Sequence, residues 1–179
     1  MSRFNHKPAG RFEDRIRDLI RLMAELLHLH EDLLGVVQRK LLAMRKSDVE
    51  LMQTCTAGEI DLTGRIRERD GLRKQILVLI AKDLNRPTTR QKEMTVSELL
   101  KHVSESEGNK MRALAGQLSF IMGETAKVNT VVQLFAQQML DHYREIFERV
   151  TRGVVESPTY VVGGRPRGVL RAHVVDAIG

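Results

Sequence analysis

The chain has 179 residues, about the size of one domain, with no Trp, two Tyr, five Phe, four Pro and one Cys. A lone Cys cannot pair within the chain, which excludes a disulfide-stapled fold, and no apolar run approaches the ~18–20 residues of a membrane span. The net charge of +6 is concentrated, because Arg65 to Lys92 holds nine Lys or Arg against three acids while the rest of the chain sums to zero. Such a block suits nucleic acid, an acidic protein or a membrane surface, or is a solvated helix face with internal pairing such as Glu68 among its arginines. The apolar fraction of 42% is mostly Leu, Ile, Val and Met, alongside 29% charged residues, the balance long amphipathic helices need. The segment Met1-Ser2-Arg3-Phe4-Asn5-His6-Lys7 has no apolar stretch behind its charges, so no signal peptide and no membrane insertion are expected, and a cytoplasmic location is the reading.

Residues 1–10, with Pro8 and Gly10, read as a flexible lead-in. From about Arg11 to Lys46 apolar residues recur in steps of three and four: Ile16, Leu19, Met23, Leu26, His30, Leu33 and Val37. Ile20, Leu27, Leu34 and Leu41 run beside them, and Leu22, Leu29 and Val36 widen the arc to roughly 200° at ~100° per residue. An ordinary surface helix needs a stripe of only ~100°, so this helix must be covered on more than one side. Ser47-Asp48-Val49-Glu50 reads as a capping box opening a second helix over 48–84, marked by Cys55, Leu62, Ile66, Leu77 and Ile80. Two helices of ~55 Å with a short connection form an antiparallel hairpin. Ala57, Gly64 and Gly71, seven apart, either admit a close partner backbone or simply weaken the helix.

Asn85 to Glu93 is a loop, and Thr95-Val96-Ser97-Glu98 is a second capping box opening a short helix over 95–104. Glu105 to Asn109, with Gly108, reads as a break before a long helix over 109–153. Met111, Leu114, Leu118, Ile121, Val128, Val132, Phe135, Met139, Ile146 and Val150 fit one seam of that helix, with Thr125 and His142 at two of its positions. That seam is expected to bury against the bundle. Ala113, Phe120, Val131 and Leu134 form a mixed stripe on the opposite side, interrupted by Glu124, Lys127 and Gln138. It is open to packing, to solvent, to a second subunit or to a partner protein. Residues 155–179 change character: Ser157 to Gly168 cannot be one continuous helix, and Val169 to Ile178 suits a short amphipathic helix. The fold class is therefore all-α, an elongated antiparallel helical bundle or coiled coil over 11–154 with a long C-terminal helix and an irregular tail.

No catalytic constellation is present. Cys55 falls on an apolar helical position, as a packed thiol does. Glu25-Leu26-Leu27-His28 has the spacing of a di-metal helix, but no second Glu-x-x-His exists, and His28 lies outside the apolar arc. His30, inside the arc, reads as a core histidine. No phosphate loop and no nucleophile elbow appear, so neither metal, cofactor nor enzymatic activity is expected. For nucleic acid, Arg65, Arg67, Arg69 and Arg73 are a candidate basic contact surface, but no aromatic residue stands among them to stack on bases.

Three features together resemble the FlgN-type flagellar export chaperones. The run from Leu26 to Leu34, leading through Lys40 to Lys46 into Ser47-Asp48-Val49-Glu50-Leu51, resembles the family's helix, short Asp-containing turn and second helix. The long helix carries Asn129 ahead of Val131, Val132, Leu134 and Phe135, and Ser157-Pro158-Thr159-Tyr160 is followed by Gly163, like the family's tail. The resemblance spans about Arg11 to Gly164. It implies a non-enzymatic cytoplasmic chaperone for flagellar type III export, with hook-associated proteins of the hook–filament junction as clients. Such a protein offers an apolar groove to an amphipathic helix, and Met111, Met122 and Met139 suit a surface that repacks. The expected client contacts are Phe120, Val131, Leu134, Phe135, Met139 and Tyr160. Export-gate components and a second copy of the chain, as a homodimer, are further candidate partners. The alternatives are a structural coiled-coil adaptor and a basic nucleic-acid-binding helical bundle.

Overall fold

The computed structural model describes residues 9–85 and 94–155, with side chains over 11–85 and 94–152. Four helices follow in order: α1 (Ala9–Arg45), α2 (Val49–Asp83), α3 (Val96–Leu99) and α4 (Glu105–Val155). Among the described residues there is no strand, so the fold is all-α. The chain divides into two compact units, residues 1–137 and 138–179, with the division inside α4.

The turn between α1 and α2 is two caps fused. The Ser47 N–H donates to Met44 O (3.1 Å) and the Asp48 N–H to Ala43 O (3.0 Å), a Schellman closure that puts Ser47 at φ 53°. Asp48 then accepts from the Leu51 N–H at 3.0 Å and caps α2. The N-cap is therefore Asp48 and not Ser47, which the Schellman turn has already taken up.

Three ion pairs tie α1 to α2 in antiparallel order: Arg15–Asp83, Glu25–Arg69 (3.3 Å) and Lys40–Glu59 (2.8 Å). Arg15 also donates to Leu79 O (2.9 Å) in the last turns of α2. Between the pairs, Leu29 and Val36 of α1 pack with Cys55 and Leu62 of α2. The wide arc of α1 is buried as expected, with Ile16, Leu19, Met23, Leu26, Leu27 and Val37 all in the core. Among the described residues the small-residue series is not a close approach to anything: a Cβ built on Gly64 or Gly71 meets nothing within 4 Å, and Ala57 is exposed.

The capping box at Thr95 is present, with Thr95 Oγ1 accepting from the Glu98 N–H and Glu98 bonding back to the Thr95 N–H. The helix it opens lasts only four residues, yet places Leu99 fully inside the core. The break then falls at Leu100–Ser104, earlier than expected. Ser104 and Glu107 form a reciprocal cap, Ser104 Oγ donating to the Glu107 carboxylate at 2.7 Å while the Glu107 N–H points to Ser104 Oγ at 3.4 Å. Residues Glu105 to Asn109 are therefore the first turn of α4, and Gly108 belongs to it because Leu100 packs there. A Cβ on Gly108 would stand 3.2 Å from Leu100 Cδ2.

Within the first unit α4 runs parallel to α1. At one end Met111 joins Ile16, Leu19, Met23, Leu77, Ile80, Met94 and Leu99, with Leu114 and Ala115 against them. At the other, Val132 joins Val37 and Met44, with Val128, Phe135 and Met52 around them. Thr125 is buried in the same stripe and donates its hydroxyl to Ile121 O at 2.8 Å, so no polar atom is stranded there.

Candidate functional site

The expected client residues fall into three groups. Phe120 (65% exposed), Leu134 (62%) and Val131 (43%) stand open on the outer side of α4 in the first unit. Phe135 is half-buried against the Val37–Met44–Val132 cluster, and Met139 is half-buried. Tyr160 lies outside the described residues. Of the three methionines assigned to a repacking surface, Met111 is fully buried in the core, while Met122 is exposed. Thus the structure brings Phe120, Val131 and Leu134 to one face and leaves Phe135 with the core.

The seam of α4 is also not buried along its whole length. Burial stops short of its C-terminal part: Ile146 and Val150, expected in the core, are exposed, and so are Leu140, Tyr143 and Phe147 (69%). These five residues fall at i, i+3, i+6, i+7 and i+10, one broad face of a helix. They line a shallow apolar depression on the second unit, bordered by Arg144 and Glu148. His142, expected to fill a seam position, is exposed, with its ring centroid 6.5 Å from that of Tyr143. Leu140, Tyr143 and Phe147 were legible as a 3–4 spacing, but the seam drawn through Ile146 and Val150 hid them by assigning that face to the core.

A second apolar feature lies in the first unit. A groove of about 270 Å³ has Leu19 and Met23 of α1, Leu77 of α2, and Leu118 and Met122 of α4 among its walls, with Arg73 beside them. Close by in sequence, Asp70 holds Arg73 (2.8 Å) and Lys74 (3.1 Å). Burial pushes the Asp70 carboxyl pKa up, but hydrogen bonds from those two cations, and their charges, outweigh it and hold the carboxyl below its usual value. His30 is half-buried. Burial drives its pKa down, and the Asp70 carboxylate pulls in the opposite direction.

The candidate basic surface is largely paired. Arg65 reaches Asp61 (3.6 Å), Arg69 reaches Glu25 across the hairpin and Arg73 is held by Asp70; among the described residues Arg67 makes no ion pair. Residues 86–92 of the basic block lie outside the described residues. His28 is exposed and meets Glu31 at 3.2 Å. Cys55 is buried as a free thiol. Among the described residues no group of three or more His, Cys, Asp or Glu is placed to hold a metal ion, and no helix is long and apolar enough to cross a membrane.

What the arrangement offers is contact area: large apolar side chains on the outside of a helix, bordered by charges. No match is found among curated proteins or among solved structures. The family model described as FlgN protein matches residues 15–168, which covers α1 from Arg15 onward, α2, α3 and all of α4. The chain belongs to the FlgN family, and membership implies the role of a flagellar export chaperone.

Proposed function

We propose that this protein binds hook-associated proteins of the hook–filament junction in the cytoplasm, holds an amphipathic client segment on exposed apolar surface of α4, and releases it at export-gate components. The observation that carries the reading is the run of five large apolar residues, Leu140, Tyr143, Ile146, Phe147 and Val150, exposed within eleven residues of one helix. Exposed apolar clusters of this kind mark interaction sites more often than they decorate solvent. An amphipathic helix laid on such a face buries its own sticky stripe and is drawn away from premature association. Phe120, Val131 and Leu134 offer a second exposed strip for the same client chain.

The experiment is a co-purification of the full chain with a hook-associated junction protein, followed by variants. Tyr143→Ser with Phe147→Ser is expected to weaken capture about tenfold or more while far-UV circular dichroism stays unchanged. Phe120→Ser with Leu134→Ser measures the second strip in the same way. If the unmodified chain captures no junction protein, or if both double variants capture it undiminished, the proposal fails.

A further inference from the structure

The exposed face of α4 over 140–150 has a counterpart within its own unit, which spans 138–179. Residues 169–178 lie outside the described residues. On a helix, their Leu170, Val174, Ala177 and Ile178 fall at i, i+4, i+7 and i+8, one apolar stripe of ~100°, with Arg171, His173 and Asp176 off it. A stripe of that width serves burial on one side. A ten-residue helix is shorter than the ~12–15 residues at which isolated helices are marginal in water, so it forms only against apolar surface. The family match stops at residue 168, and this segment lies beyond it.

Length and tether fit it to the face. Ten helical residues cover ~15 Å, and Leu140 to Val150 covers the same ~15 Å of α4. α4 runs to Val155, and thirteen residues, 156–168, join it to the segment. Among them Pro158, Gly163, Gly164, Pro166 and Gly168 stop the helix and let the chain reverse. To start antiparallel beside Val150, the segment needs ~7.5 Å back along α4 and ~9 Å to the side, about 12 Å in all. A coil of this length has a root-mean-square span of about 20 Å, so the tether is unstrained. It presents the segment at roughly millimolar effective concentration, whereas a second copy or another protein meets the face only at its bulk concentration. We infer that residues 169–178 fold back as a short helix antiparallel to α4 and lie on Leu140, Tyr143, Ile146, Phe147 and Val150.

The cover is shallow. A four-residue stripe binding with a Kd of about 0.3 mM, at that effective concentration, is docked about three-quarters of the time. It therefore opens in low urea, before the core melts. A client on this face must displace it, which weakens the client's apparent affinity about fourfold. That consequence rests on the chaperone reading above; the docking does not.

Hydrogen exchange of the full chain, read by mass spectrometry, tests the docking. Amides of 169–178 are expected to exchange about fourfold more slowly than in a free peptide of the same sequence. Tyr143→Ser with Phe147→Ser is expected to restore the free-peptide rate. Leu170→Glu with Val174→Glu is expected to raise the fluorescence of added anilinonaphthalene sulfonate by uncovering the face. Free-peptide rates in the unmodified chain overturn the inference, and so does unchanged dye fluorescence. Protection that survives the Tyr143 and Phe147 changes overturns it by placing the segment elsewhere. Protection that grows with protein concentration overturns it by placing the segment on a second copy. Junction-protein capture that tightens about fourfold in the Leu170 and Val174 variant supports both proposals. Capture without protection sinks this inference alone; protection without capture sinks only the chaperone assignment.

Discussion

Two stretches of α4 carry the same kind of apolar stripe and meet opposite fates. Val132 and Val150 are eighteen residues apart, five turns at about 3.6 residues per turn, so they occupy the same angular position on the helix. Val132 is buried with Val37 and Met44; Val150 is exposed. Periodicity thus records that a helix is built to be covered, and is silent about what does the covering. In the first unit the cover comes from α1 and its neighbours. In the second, the same sequence grammar leaves the stripe exposed among the described residues.

The contrast is sharpest in stability. Leu19→Ala or Leu99→Ala, both at fully buried positions, is expected to cost about 3 kcal/mol in urea unfolding. Phe147→Ala, though it removes a larger side chain, is expected to stay within about 0.5 kcal/mol of the unmodified chain. A large loss at Phe147 means the second stretch is covered as firmly as the core, and the comparison breaks. Smaller effects probe the backbone. Ser47→Gly relieves a left-handed residue and is expected to gain about 1 kcal/mol, read as a higher urea midpoint. Gly64→Ala, in open space, is expected to gain a similar amount, and Gly108→Ala less, because its new methyl meets Leu100. The smallest effect is from His30. Its pKa in the folded chain lies below the unfolded value near 6.5, so the unfolded state takes up the proton first. Its contribution to stability is complete above that value and is lost as pH falls through it toward the folded pKa. A His30→Asn variant is expected to show a flatter stability profile over that window.

Much of the fold was written plainly. The 200° arc of α1 announced two-sided burial, and Ile16, Leu19 and Val37 lie where it placed them. Thr95 and Glu98 marked α3. The errors have physical causes. Ser47 and Asp48 are both good caps, and only the Schellman geometry decides that one ends α1 while the other begins α2. Ser104-x-x-Glu107 was an equally good start signal, but Gly108 invited a break where it instead sits in the first turn with Leu100 packed close against it. The surface was harder to read. Phe120 and Leu134 interrupt a polar side and so stand out, whereas Leu140, Tyr143 and Phe147 continue a stripe whose cover, further up the helix, was the core.

The three ion pairs across the hairpin act on a different problem, that of choosing one alignment. Long helices with repeating apolar rows slide past one another in steps of seven residues with little change in greasy contact. Such a step here sets Arg15 against Ile76, Glu25 against Leu62 and Lys40 against Met52 in place of Asp83, Arg69 and Glu59. In that direction each charge loses its partner to an apolar side chain, at greatest cost for the more buried Arg15–Asp83 and Lys40–Glu59 pairs, so the slipped hairpin is disfavoured against the observed alignment.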